Sequence, residues 1–204
     1  FSYYAGGGVG REGLLTGRPD GTDYFPWMAE EVELADDFTY VEITLREGLK
    51  WSDGTPIVAA NEYDFHWNHT LPATDIDPGL YSPEVVDVEV LGDNTVRIHF
   101  GEPYPSYKMQ LQHTWFHDIL SENLALAPAH VMRQYLPEFV GEDEAIRKAE
   151  ELGFSDYRQL LLELGTQVRV QEDPRFGMPT TEAYIVVSAN ESEVVFERNP
   201  FYPF

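Results

Sequence analysis

The chain has 204 residues, enough for one sizeable domain or a large lobe with a real core, and its net charge is −23. That charge argues against a nucleic-acid partner, because phosphate binding needs clustered Lys and Arg; the absence of cysteine excludes disulfides, thiolate metal sites and a cysteine nucleophile. The acidic residues are spread among abundant aromatics, which fits a folded acidic surface rather than a disordered tail. No apolar run reaches the roughly 18 residues needed to span a membrane, and no signal peptide is visible. A chain that begins at Phe1 is read as processed or excised from something longer.

Residues 1–17, FSYYAGGGVGREGLLTG, mix aromatics with glycines. The glycines lack both the Gly-Lys-Ser/Thr of a P-loop and the apolar strand that precedes a dinucleotide fingerprint, so they read as a loop. Asp20-Gly21 is a turn. From Phe38 to Arg46 the chain alternates, with Val41, Ile43 and Leu45 on one face, as in a strand lying on a core. Gly48 interrupts it, and Trp51-Ser52-Asp53-Gly54-Thr55-Pro56 forms a tight turn in which Asp-Gly accepts positive φ and Pro56 ends pairing. A helix follows. Val58 cannot cap it, so its start is expected at Asn61, with Glu62 and Asp64 in the first turn.

Pro72 to Pro83 is loop-like. Val86–Leu91 and Thr95–Phe100 then form a hairpin, in which each strand has one buried face: Val86, Val88 and Val90 on the first strand, and Val96, Ile98 and Phe100 on the second. Helices are expected over Tyr107–Trp115, over Glu142–Leu152 with Gly153 as the C′ glycine, and over Asp156–Leu164 capped by Ser155. Tyr157, Leu160, Leu161 and Leu164 share one face of the last. A final hairpin pairs Ala183–Ser188 with Glu193–Arg198.

Four separated patches carry a family resemblance, in the family's order. Leu-Arg-Glu-Gly-Leu-Lys-Trp-Ser-Asp-Gly-Thr-Pro at 45–56 resembles the L-R-x-G-x-x-[FW]-x-D-G-x-P signature of the family 5 extracellular solute-binding proteins. Val58 and Asn61 depart from the Thr and Asp that usually follow it. Residues 95–105, TVRIHFGEPYP, Ala127-Pro128-Ala129-His130-Val131 and Glu197-Arg198-Asn199-Pro200-Phe201-Tyr202 are similar to three further family patterns, and residues 13–15 and 25–31 resemble its opening segments. The resemblance implies a mixed α/β (α+β) fold of the type II periplasmic-binding-protein kind, in two lobes. This chain would be the first lobe with its small extra subdomain, the second lobe being absent. Residues of about 1–70 and 165–204 would form the main sheet, and about 71–164 the extra subdomain with the hairpin and helices. It further implies an extracytoplasmic receptor, periplasmic or extracellular, that captures a peptide or similar small solute and delivers it to an ABC permease. No reaction, cofactor or metal belongs to that role. The protein is expected as a monomer, and a lipidated N-terminus outside this sequence would be compatible with it. A receptor for oligosaccharides or nickel and other metal chelates, and an acidic secreted hydrolase, are the alternatives.

Loop aromatics without periodicity are the candidates for ligand contact, because flat rings grip peptides and sugars at low entropic cost: Tyr3, Tyr4, Tyr81 and Trp115. Tyr81 is also where the resemblance implies a tyrosine sent toward ligand. His66 and His69, with Glu62 a turn earlier, and His113 and His117 have helical spacings compatible with zinc or nickel, although neither pair matches H-E-x-x-H, and ordinary polar histidines are the expectation. The acid pairs Glu30/Glu31, Asp36/Asp37 and Glu150/Glu151 are adjacent, so their side chains diverge and read as solvated surface.

Overall fold

Strict alternation at 40–45 does produce a strand. In a computed structural model that describes residues 14–17, 24–74, 85–106, 128–165, 179–189 and 192–204, β1 (Leu15–Gly17) pairs with β2 (Tyr24–Pro26), and β3 (Ala29–Leu34) leads into β4 (Tyr40–Leu45). Val41, Ile43 and Leu45 are completely buried, as their spacing requires. The strand begins two residues later than expected. Phe38 lies in the left-handed region at φ 62° and makes the β3–β4 turn, where Asp37 Oδ1 accepts hydrogen bonds from the Thr39 amide (3.1 Å) and hydroxyl (2.7 Å).

β5 (Val85–Gly92) and β6 (Thr95–Phe100) complete an antiparallel four-stranded sheet of order β3-β4-β6-β5. The hairpin therefore extends the 29–45 sheet, whereas the expected division placed it with the helices. Its second strand buries Val96, Ile98 and Phe100 as predicted; its first does not follow the simple alternation. A register shift between Val85 and Asp87 turns Val85 and Val88 inward and leaves Val86 and Val90 exposed. A bulge of one residue swaps the faces of a strand, and hydropathy alone does not reveal it.

Helix α1 (Ala59–Phe65) lies against this sheet and continues through a π-helical turn (His66–Thr70) into α2 (Leu71–Thr74). It starts at Ala59, with Val58 as N-cap and no side-chain cap. Tertiary structure supplies the missing acceptor: the Ala60 amide donates to the Asp93 carbonyl in the β5–β6 turn at 3.0 Å. The expected start at Asn61 considered only local caps.

A second core belongs to the helices that follow. α3 (Ala129–Met132), a 3₁₀ turn (Arg133–Tyr135), α4 (Pro137–Val140), α5 (Glu142–Glu151) and α6 (Tyr157–Gly165) bury Met132, Leu136, Ala145, Ala149, Leu160, Leu161 and Leu164 around Phe65 of α1. Gly153, at φ 89°, ends α5 as predicted: its amide donates to the Glu150 carbonyl and that of Phe154 to Ala149, the paired bonds of a Schellman cap. The cap of α6 is Asp156 rather than Ser155, since Asp156 Oδ1 accepts from the amides of Arg158 (2.7 Å) and Gln159 (3.0 Å). A last two-stranded sheet, β7 (Tyr184–Ala189) with β8 (Val194–Arg198), completes a mixed α+β architecture.

Candidate functional site

The signature at 45–56 is where three parts of the molecule meet, and each of its side chains has a structural task. Leu45, Leu49 and Trp51 are in the sheet core. Arg46 donates to the carbonyls of Pro26 and Trp27, tying β4 to the segment before β3. Gly48 and Gly54 hold positive φ, at 78° and 87°. Within the turn the Trp51 amide donates to the Thr55 carbonyl, the Gly54 amide to that of Trp51, and the Thr55 amide to Asp53 Oδ1, each at 2.9 Å. Outward ties radiate from the same residues. The Ser52 amide donates to the Thr180 carbonyl at 2.8 Å and Ser52 Oγ accepts from the Thr180 amide at 3.0 Å, joining the turn to the segment that leads into β7.

Phe201, just after β8, lies directly over Gly54. A Cβ there would stand 2.9 Å from the ring, on a backbone at φ 87°. Gly54→Ala is therefore expected to destabilise the chain by about 2 kcal/mol, measured as a lower urea midpoint. Phe201 is positioned by Asn199, whose Oδ1 accepts from the Phe201 amide (2.9 Å) while its Nδ2 donates to the Glu182 carbonyl (2.8 Å). The E-R-N-P patch is thus a backbone device too.

Toward the helices, the tie is a buried carboxylate. Glu62 of α1 is 4% exposed; its Oε1 accepts from Trp51 Nε1 at 3.3 Å and its Oε2 from the Ala129 amide at 2.9 Å. It stands where the sheet core gives way to the helical core. Burial pushes its carboxyl above the ordinary carboxylate range, against the opposing pull of the two N–H donors and of His130 and Arg133. On the rim of the same seam, Asp53 Oδ2 meets His130 Nε2 at 2.8 Å. Partial burial alone would raise the Asp53 carboxyl, but the Thr55 amide and His130 outweigh it and hold it below the ordinary value. Neither role was legible beforehand. The spacing of 67 residues between Glu62 and Ala129 carries no local signal.

Tyr3, Tyr4, Tyr81 and Trp115 lie outside the described residues, as do His113 and His117. His66 and His69 both lie in the π-helical turn, after which the Leu71 amide reaches back to the His66 carbonyl. His66 is buried, whereas His69 is partly exposed, with its Nδ1 2.7 Å from Glu138 Oε2 and its ring against Phe65 and Phe139. Among the described residues no three His, Asp or Glu come close enough to hold a metal ion. The acid pairs lie at the surface, as expected, with Glu30 and Glu31 exposed on β3 and Glu150 and Glu151 exposed at the end of α5.

Among the described residues, apolar side chains are exposed on β5, on the last hairpin and at the chain's final aromatics. Tyr184, Val187 and Val195 are exposed by 48%, 39% and 38%, and Phe204 stacks on Trp27 with ring centroids 4.0 Å apart. A two-stranded sheet with apolar residues facing outward suits a site that a further surface covers.

Comparison with known proteins places this architecture. The family model of the bacterial extracellular solute-binding proteins, family 5 (Middle), matches residues 23–203. The chain belongs to this family. Its family 5 relatives include the periplasmic oligopeptide-binding protein OppA of Salmonella typhimurium, 31% identical over 120 residues, a match covering 50% of this chain and 22% of that protein. A solved oligopeptide-binding protein OppA superposes with a TM-score of 0.75 at 24% identity, covering 95% of this chain and 29% of the other. A mannohexaose-bound oligopeptide-binding protein from Thermotoga maritima superposes with a TM-score of 0.59 at 20% identity, over 94% of this chain and 28% of that one. The chain thus spans between a fifth and a third of the length of these relatives, and its type II periplasmic-binding-protein fold is the one the resemblance implied. These homologues are substrate-binding proteins rather than enzymes.

Proposed function

We propose that this chain is part of the first lobe of an extracytoplasmic receptor that captures peptides or similar small solutes and delivers them to an ABC permease. The observation that carries the reading is the family 5 match, which runs through the sheet, both helical groups and the terminal hairpin. Ligand would be held by loop aromatics, with Tyr3, Tyr4, Tyr81 and Trp115 as candidates, and enclosed against a second lobe, since one wall of a cleft does not bury a ligand by itself. The exposed apolar face of β7–β8 supports a fold that continues beyond these residues. In this role the protein acts as a monomer in the periplasm or outside the cell, with no chemical step; a lipidated N-terminus would keep it at the membrane. A mannohexaose-bound neighbour makes oligosaccharide the second ligand class to test.

The test is native mass spectrometry of the protein purified from its source without denaturation. A series of short-peptide adducts is expected. An empty spectrum that fills with oligosaccharide or with a nickel–histidine chelate would replace peptide by that ligand, and cleavage of added peptides would replace a receptor by an enzyme.

A further inference from the structure

The chain carries 36 Asp and Glu against 13 Lys and Arg, and the structure leaves most of those carboxylates without a countercharge. Among the described residues, 18 acidic side chains are exposed, whereas the exposed cations are Lys50, Arg133, Arg147, Arg158 and Arg198. Two arginines are already shared between carboxylates, Arg97 by Glu42 and Glu89, and Arg147 by Glu144 and Glu151. Elsewhere no such bridge exists. Glu30, Glu31 and Glu33 of β3 make no ion pair among the described residues, and Glu33 stands directly opposite Glu42 in the β3–β4 ladder, where like charges weaken a sheet. Glu142 and Asp143 at the start of α5 are equally exposed.

Two further features go with this excess. Lysine is the cation the chain gives up, being present only at Lys50, Lys108 and Lys148. Lys50 rests over the ring of Phe201, and Lys148 Nζ donates to the Gln134 carbonyl, so neither neutralises a carboxylate. A lysine carries a long apolar stem, which is a liability in a medium that drives apolar surface out of water, whereas a carboxylate is compact and strongly hydrated. Apolar burial is also thin where charge is dense. Helix α5 carries Glu142, Asp143, Glu144, Glu150 and Glu151 but buries only Ala145 and Ala149, so little hydrophobic gain is set against the repulsion.

We propose that this fold is built for concentrated salt: solvent cations, spread over the carboxylate surface and not held at one site, supply the countercharge the chain lacks, and dilution of the salt unfolds it. In about 0.1 M salt the screening length is about 10 Å, so carboxylates on β3, β4 and α5 feel their neighbours; in about 1 M it falls to about 3 Å and only direct contacts remain repulsive. The inference concerns the medium in which the protein works and stands whichever solute is carried.

Thermal unfolding of the full protein in a KCl series tests it. The midpoint should rise by about 10 °C or more between about 0.1 M and about 3 M KCl. The combined variant Glu30→Gln, Glu31→Gln, Glu33→Gln should melt above the parent in dilute KCl, and the gap should close in concentrated KCl. A parent midpoint that stays level or falls as KCl is added overturns the proposal. So does an undiminished slope in the triple variant, or an equal rise in sucrose of matched osmolality, since either makes exclusion of solute from the surface the cause in place of charge. Should the triple variant fail to fold, the parent series in KCl and in sucrose still decides between these outcomes.

Discussion

Trp51→Ala is expected to cost about 4 kcal/mol, the largest loss available from a single side chain in the signature. The indole is 2% exposed and belongs to the same buried core as Leu45, Leu49, Ile57 and Tyr63, so its removal leaves a large cavity in that core. The loss is compounded because Nε1 is one of the two donors on Glu62. Trp51→Phe separates the two contributions: an aromatic ring remains buried, and the deficit should shrink to about 1–2 kcal/mol, which covers the lost indole hydrogen bond and the smaller ring. Urea unfolding of the three proteins checks this. The midpoints should fall in the order parent, Phe, Ala, with a similar dependence on urea in each. A Trp51→Ala midpoint close to the parent's would remove Trp51 from the core.

Glu62→Ala is expected to cost about 3 kcal/mol, because it strands two buried donors, the Trp51 indole N–H and the Ala129 amide. Glu62→Gln should cost less, since the amide oxygen can still accept one of them. The pH dependence has a defined sign. Burial raises the carboxyl of Glu62, so between the ordinary carboxylate range and its folded value the native chain holds a proton that the unfolded chain has lost. Stability from this group is therefore full below the ordinary value and declines as the pH rises through that window. Asp53 contributes in the opposite sense: its carboxyl is held down in the folded chain, so its contribution is present above the ordinary value and is lost as the pH falls through the lower one. Comparing stability–pH curves of the parent and Glu62→Gln isolates the first effect, and a difference curve without slope would contradict it.

Local chemistry was legible in the sequence wherever a residue's task was local. The alternation of β4, the glycine stop of α5 and the apolar face of α6 follow from spacing and backbone preference. The positive φ of Gly54 was likewise implied by Asp-Gly-x-Pro, but the ring of Phe201 above it was not, since 147 residues separate them. β3 was missed because AEEVEL places only Val32 and Leu34 against a row of glutamates. That is how an edge strand protects its open side, and it does not read as a strand for a core. The two bulges of β5 and the start of α1 at Ala59 were decided by partners in the next element. The ligand-contact candidates rest on composition and resemblance, and they lie outside the described residues.

The most recognisable stretch of this family 5 chain is a junction that joins sheet, helices and terminal hairpin; in the receptor proposed above, ligand would be held elsewhere. Gly54→Ala separates these roles, because it disturbs the junction at one atom. In protein purified from its source, the variant's urea midpoint should fall while peptide carried per folded molecule, read by native mass spectrometry, stays at the parent level. An unchanged midpoint with the peptide lost would make the turn part of the binding site and contradict the account.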